Sequence, residues 1–412
     1  MQSNKIPKLI QLWVTPRLPS EHIFISPEKR PQDFVNFIKV YFRKWAIHPI
    51  KRRIAKYYLL YLQKYFGLIV IAITGSAGKT TTKEMLASIL KLKGNTVYSY
   101  ANIDPVYNIP STILRCTPRT KYLILEMGIE FPGEMDFYLW LAKPKIGVIT
   151  NIYKTHTLFL GSEKNIVKEK GKLIMFLGEG DVAILNSENS YLREVGDKCK
   201  ARVVWFGAKG IIKAESIITS KQLNTLFNLN LNKNKLVIHL LTLGRQFIYD
   251  ALAAASVAYA LDIIPELIKR GLEDFQKPEH RMNLIKLKSG ALVMDDSYNN
   301  NPQAAKEAIE TFISIAKNKK KVIVFGDMLE LGKYEKEAHR QIGKILSKIG
   351  LDYLIAVGPA SKTLIEQIGK GVWVKKFNEV KPLLEPKLQR DTVVLIKGSR
   401  SVGLDRVVSD II

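Results

Sequence analysis

From residue 67 onward, short β-branched runs alternate with longer stretches of helical periodicity. GLIVIAIT, KYLILEMG, KIGVITNI, DVAILN and RVVWFG each read as a strand, with helix-like segments between most of them. Such alternation predicts a mainly parallel, doubly wound sheet. Between about residues 211 and 243 the helical period lapses and FNLNLN and LVIHLL alternate instead, which predicts an antiparallel patch added to that sheet. QFIYDALAAASVAYAL then resumes a strong helix. After PEHRMN a second series begins, with strands ALVMDD, KVIVFG, YLIAVG and VVLIKG separated by helices expected at roughly 302–318, 334–349 and 360–369. The expected fold is α/β: a doubly wound central domain over 67–279, a Rossmann-like C-terminal domain over 280–412, and a short N-terminal segment over 1–66.

That N-terminal segment has a different character. FVNFIKVYFRKWAIHPIKRRIAKYYLLYLQKYF is rich in aromatics and bases and contains no acid, and it reads as one or two basic amphipathic helices broken near Pro49. One account packs its Tyr and Leu stripe on the next domain and leaves the bases in water. The other brings residues 34–66 into peripheral contact with anionic membrane lipid.

Composition narrows the partners. Apolar residues at 47% and charged residues at 25% describe an ordinary folded chain. Lys and Arg outnumber Asp and Glu by 63 to 38, a net charge of +25, which favours anionic partners. No nucleic-acid-binding pattern accompanies the charge, so no specific nucleic acid is expected. Cys116 and Cys199 carry no metal-site or disulfide spacing, and neither a signal sequence nor a membrane span is legible, so a cytoplasmic setting, with or without membrane association, is expected.

The clearest chemistry lies in IVIAITGSAGKTTTKEMLASIL, where an apolar strand enters a glycine turn, then Lys79 and Thr80, then a helix. Glycines let backbone N–H groups close on phosphate oxygens, the helix N-terminus adds partial positive charge, Lys79 neutralises terminal phosphates and the Thr80 hydroxyl can hold Mg2+. Gly75, Ser76, Ala77, Gly78, Lys79, Thr80 and Thr81 are therefore the candidate nucleotide-binding residues, with ATP and Mg2+ as cofactors. The spacing is GxxGKT, two residues shorter than the common phosphate loop. The plain alternative, a glycine turn before a core helix, is disfavoured by the flanking strand and helix.

TGSAGKTTT resembles the shortened loop of the Mur ligases and of their relatives the folylpolyglutamate synthetases. LEMGIEFPGEM, GDMLELG and DDSYNNNP resemble the MurF branch of the former. The resemblance covers about residues 67–412 and implies an ATP-dependent, ADP-forming ligase that joins a carboxylate to an amine through an acyl phosphate. It also implies residue roles. Glu126 would be a magnesium ligand, which its place at a strand's C-terminal end independently supports. Within ITNIYKTHTLFLGSEKNIVKEKGKLI, His156 would be a second metal-site residue and Lys170 a lysine that is carbamylated in many relatives. Asp250 stands where relatives carry an asparagine that contacts adenine, and Gln246 replaces a histidine. Asn102 keeps the family's acceptor-side position, while Asp104-Pro105 replaces an asparagine pair.

In the C-terminal half, PEHRMN matches P..GRM with His280 for glycine, and Arg281 would reach the nucleotide phosphates when the domains close. Asp296 is expected at the ribose, with Asn299 and Asn301 in the same loop. Lys397, Ser399 and Arg400 of KGSR are candidates for binding the carboxylate of the incoming amine substrate, since Arg pairs with carboxylates bidentately. By resemblance the partners are an anionic peptide or nucleotide-sugar peptide and an amino acid or dipeptide of the D-alanyl-D-alanine type, as in cell-wall precursor synthesis. Residues 1–66 do not resemble the family's uridine-nucleotide-binding domain. A different donor, a lipid-linked precursor or a folate among them, and a nucleotide-binding protein without ligase activity are the competing readings.

Overall fold

The computed structural model describes residues 13, 17–24, 30–31, 33–100, 103–153, 157–220 and 223–412. Its first sheet comprises β1 (Ile69–Thr74), β2 (Thr96–Tyr98), β3 (Tyr122–Glu126), β4 (Ile146–Ile149), β5 (Val182–Asn186), β6 (Arg202–Phe206), β7 (Ile212–Thr219), β8 (Thr225–Leu231) and β9 (Asn234–Leu240). In space they run β2-β3-β1-β4-β5-β6-β7-β8-β9. Pairing is parallel from β2 to β7 and antiparallel across β7, β8 and β9, so the alternating 211–243 stretch forms the patch its pattern predicts.

Helices cover both faces of the parallel part, which is why its strands are apolar along their length. On one face the helix Arg245–Ala260 lies against Lys79–Lys91, and its small Ala251, Ala254, Ala255 and Ala258 are wholly buried. On the other face the helix His48–Phe66 contributes Ala55, Leu59 and Leu62 to a cluster with Val70, Leu123, Leu125 and Ile109. Fully burying Leu59 and Leu62 contributes on the order of 1.5–3 kcal/mol each, enough to make this helix a fixed part of the domain.

The N-terminal segment differs from its expectation in two ways. The chain is helical from Phe34 to Phe66, and the irregularity is a π-helical turn over Arg43–Ile47, upstream of Pro49. Pro49 follows this turn inside the continuous helix, so its missing N–H leaves a gap in the ladder, and Trp45 O, four residues before it, accepts from Trp13 Nε1 at 2.8 Å instead. The packed stripe is Ala55, Tyr58, Leu59 and Leu62, with the Tyr58 hydroxyl donating to Cys116 O at 2.8 Å, while Tyr57, Tyr61 and Tyr65 face outward.

The second sheet contains β10 (Asn283–Lys286), β11 (Leu292–Asp296), β12 (Lys320–Gly326), β13 (Tyr353–Val357), β14 (Val372–Val374) and β15 (Thr392–Lys397). Its order is β10-β11-β15-β12-β13-β14, parallel except for the β10 edge. Helices at Pro302–Ile315, Glu335–Leu346 and Lys362–Ile368 fall within the expected ranges. Asn301 caps the first of them, its Oδ1 accepting from Ala304 N at 2.9 Å.

Candidate active site

β1 lies between β3 and β4, and the chain leaves it toward one edge before returning on the other side. The C-terminal ends of these three strands therefore meet at a topological switch point, where open α/β sheets bind ligands. Three chain segments converge there: the 75–79 turn after β1, Glu126 at the end of β3 and Thr150-Asn151 after β4. Together with the 296–301 loop of the second domain they line a cleft of about 720 Å³, a volume in the range of small-molecule and cofactor sites.

The turn is held open by geometry that only glycine accepts. Gly78 has φ 79°, and a Cβ there would collide with Asp250 Oδ1. A Cβ on Gly75 would collide with Thr150 Oγ1. Asn151 grips the turn from both sides: its Oδ1 accepts from Ala77 N at 2.8 Å and its Nδ2 donates to Ala77 O at 3.2 Å. Thr150 Oγ1 donates to the same carbonyl at 2.6 Å, and Ser76 Oγ donates to Tyr153 O at 3.1 Å. These bonds fix the loop while the first N–H groups of Lys79–Lys91 stand at the helix terminus, a ready anion site.

Around this terminus the charged groups crowd together. Lys79 Nζ donates to Gly75 O at 3.0 Å, and Lys170 Nζ donates to the same carbonyl at 3.2 Å. Burial holds Lys79 below its ordinary range, opposed by Glu126 and reinforced by Arg281. Lys170, only 1% exposed, is pulled down to about 7, by burial first and by the neighbouring Lys79 charge second. Thr80 Oγ1 donates to Glu126 Oε1 at 3.0 Å, and the buried Lys83 Nζ lies 3.6 Å from Glu126 Oε2. Asp250, wedged beside Gly78 and Thr82, has its carboxyl raised well above the usual range by burial and by Glu307. A carboxyl kept neutral offers both a donor and an acceptor, as an asparagine amide does.

The second domain contributes from its own switch point, where β15 lies between β11 and β12. Arg281 Nη2 donates to Thr80 Oγ1 at 3.1 Å across the domain boundary, and its guanidinium stacks 4.5 Å over Tyr298. His280 keeps the left-handed conformation a glycine would take, φ 57°, and its Nδ1 lies 2.8 Å from Asp295 Oδ2. Asp296 and Asn299 reach the cleft, but the fully buried Lys397 is bound to both, donating to Asp296 Oδ2 at 2.6 Å and to Asn299 O at 2.8 Å. Ser399 Oγ accepts from Leu329 N at 3.1 Å and so ties the 326–332 loop. Arg400 pairs with Asp405 at 3.0 Å. Here Lys397, Ser399 and Arg400 are thus engaged with protein groups, and of the three only Lys397 lines the cleft.

Not every expected residue can be placed. His156 and Asn102 lie outside the described residues. Asp104, noted in the sequence at the acceptor-side position, lines the far end of the cleft, and beside it stand groups that sequence reading missed: His22 from the N-terminal segment, paired with Glu134, then Glu130 and the buried Tyr138. Burial and the neighbouring carboxylates raise Glu130 to about 7. Asn151 was also missed, although it sits inside the ITNI run.

Comparison with known proteins agrees with this geometry. The family model described as the Mur ligase middle domain matches residues 73–258, and that described as the Mur ligase glutamate ligase domain matches residues 280–400. A UDP-N-acetylmuramoyl-tripeptide–D-alanyl-D-alanine ligase of Buchnera aphidicola subsp. Baizongia pistaciae is 32% identical over 348 residues, covering 83% of this chain and 75% of that protein. The crystal structure of MurF from Acinetobacter baumannii superposes with a TM-score of 0.82 at 29% identity, over 88% of this chain and 80% of that one. MurF from Thermotoga maritima in complex with ADP gives 0.78 at 25% identity, over 88% and 82%. A phosphate loop, an acidic strand end and an arginine reaching across from the second domain are thus found on a chain that belongs to the Mur ligase family, in its MurF branch of ATP-dependent, ADP-forming ligases.

Proposed function

We propose that this chain ligates D-alanyl-D-alanine to the terminal carboxylate of a muramoyl-type peptide carried on a nucleotide sugar. The observation that carries the reading is the meeting of Lys79, Thr80, Glu126 and Arg281 at one helix N-terminus, with groups drawn from both domains. A carboxylate is a poor electrophile. Its oxygen attacks the γ-phosphorus of ATP, the bond to ADP breaks, and the acyl phosphate that results has a good leaving group. The amine then attacks the carbonyl carbon, phosphate departs and the amine loses a proton, leaving an amide.

Lys79 and the N–H groups at the turn offset charge on the transferring phosphoryl group, and Arg281 completes the cradle from the second domain. Thr80 and Glu126 offer hard oxygen donors 3.0 Å apart, a set that suits Mg2+ together with phosphate oxygens and water. When bound, that ion would neutralise negative charge on the phosphates. An amine is no ligand for Mg2+, so Lys170 fits this site as a carbamate, whose oxygens are of the right kind. Asp250, whose carboxyl burial pushes toward the protonated form, takes the part of an amide near the base of the nucleotide, Asp296 that of a ribose contact, and Asn299 and Asn301 line the path of the amine substrate.

The test is phosphate release from ATP by the purified chain with Mg2+, UDP-muramoyl tripeptide and D-alanyl-D-alanine, beside a Lys79→Ala variant and a panel of other amines and donors. Release that needs both substrates and Lys79 supports the assignment. Turnover only with other donors or amines keeps the ligase and removes these substrates.

A further inference from the structure

The outward face of the N-terminal helices is an apolar stripe that the described residues leave exposed. On His48–Phe66 the stripe is Ile50, Ile54, Tyr57, Tyr61 and Tyr65, spaced by four, three, four and four residues, the repeat of one helix face. Ile54 is 56% exposed and Tyr57 66%, whereas Ala55, Leu59 and Leu62 on the opposite side are buried. The helix therefore has two apolar faces, and only one belongs to the core. Upstream, Phe34–Phe42 has no buried residue and exposes Phe34, Ile38 and Phe42, which lengthens the apolar surface. Tyr61 and Tyr65 lie 5.2 Å apart and Tyr61 and Phe66 5.6 Å, forming an exposed aromatic cluster at the far end.

The charge around this surface selects its occupant. Residues 34–66 carry eight Lys and Arg and no Asp or Glu. A second copy of the chain seated on this face would bring two such acid-free basic segments together, and like charges would oppose it. An anionic bilayer surface complements both features at once. Its headgroups pair with the bases, its interface accepts tyrosine rings with their hydroxyls in water, and its outer acyl region accepts the isoleucines. No described helix is long and apolar enough to cross a membrane, and five bases within His48–Phe66 suit a helix that lies on one.

We infer that residues 34–66 form a docking face for an anionic lipid surface, with the helices parallel to the bilayer plane. The consequence for catalysis follows from what holds the helix. Lys51 Nζ donates to Ser111 Oγ at 2.8 Å, and the buried Arg52 lies over the rings of Tyr107 and Phe137. Tyr107 and Ser111 belong to the helix Pro105–Ile113, whose first residue lines the cleft beside Asp104 and His22. The stripe and the far end of the cleft are thus parts of one rigid scaffold, and docking would seat that end of the cleft at the lipid surface.

The experiment is co-sedimentation of the full chain with vesicles of phosphatidylcholine alone or mixed with phosphatidylglycerol, across a salt series. The inference expects binding to the mixed vesicles that weakens with salt, and at least tenfold weaker binding to phosphatidylcholine alone. Two variants separate the contributions: Ile54→Ser/Tyr57→Ser/Tyr61→Ser and Lys39→Glu/Arg43→Glu/Lys64→Glu. Each should lose at least tenfold in vesicle affinity while ATP-dependent turnover with soluble substrates stays at the wild-type rate. Equal binding to both vesicle types, wild-type binding by the serine variant, or a dimer in free solution that the serine variant converts to monomer would overturn it. None of these outcomes depends on which donor the ligase uses.

Discussion

Lys170 shows how burial prepares a residue for chemistry. An ordinary lysine at neutral pH is almost entirely protonated and inert toward carbon dioxide, but one held at about 7 is half amine. The sign follows: as pH falls below that value the amine protonates and carbamate formation stops, and as pH rises it becomes available. Labelled bicarbonate should therefore give a carbamate carbon resonance in the wild type that Lys170→Arg abolishes, with turnover in that variant lower by roughly a hundredfold or more. A variant with unchanged turnover would remove Lys170 from the site. Gly78 makes the complementary point about backbone. With φ 79° and Asp250 Oδ1 occupying the place of a Cβ, Gly78→Ala must either shift the carboxyl or twist the turn. It should weaken ATP binding by at least tenfold, seen by titration calorimetry, while the rest of the sheet keeps its far-ultraviolet dichroism.

At the level of elements, the helix Glu335–Leu346 positions the 326–332 loop through one side chain. His339 is wholly buried; its Nε2 accepts from Met328 N at 3.1 Å and its Nδ1 donates to Glu335 O at 2.8 Å, so the ring is neutral. Burial draws its pKa below the ordinary 6.5, against the opposing pull of Glu335 and Asp327. The unfolded chain then takes up a proton at higher pH than the folded one, and stability declines as pH falls below about 6.5. Melting curves should fall more steeply on acidification for the wild type than for His339→Asn, and parallel curves would refute the link. What the sequence made legible divides along the same line of local against distant causes. The phosphate turn could be read because glycine, lysine and the following helix are contiguous. The pairing of Lys397 with Asp296 could not, because it depends on the register of β15 against β11 across 101 residues. Nor could the inward face of His48–Phe66, which carries apolar residues on both sides. Periodicity names the stripes but does not choose which one is buried.

Across the whole molecule, polar contacts join the two domains at places that bear on the reaction. Thr157 Oγ1 donates to Leu331 O at 2.9 Å and Leu158 N to Glu330 O at 3.0 Å, which joins the segment after β4 to the 326–332 loop. Arg281 is the contact that also enters the cleft, reaching Thr80 Oγ1 from the second domain while its guanidinium rests on Tyr298. An acyl phosphate is as open to water as to an amine, so closure must coincide with nucleotide occupancy, and a cation attracted by phosphates supplies that link. Arg281→Ala should leave ATP binding to the first domain within a few-fold of wild type, since the turn, Lys79 and Thr80 are intact. It should lower kcat by roughly a hundredfold, and in solution scattering the wild type, but not the variant, should decrease in radius of gyration on adding ATP. A variant that still compacts yet loses kcat would confine Arg281 to phosphoryl transfer, and one that keeps both would leave closure to the 157–158 and 330–331 contacts alone.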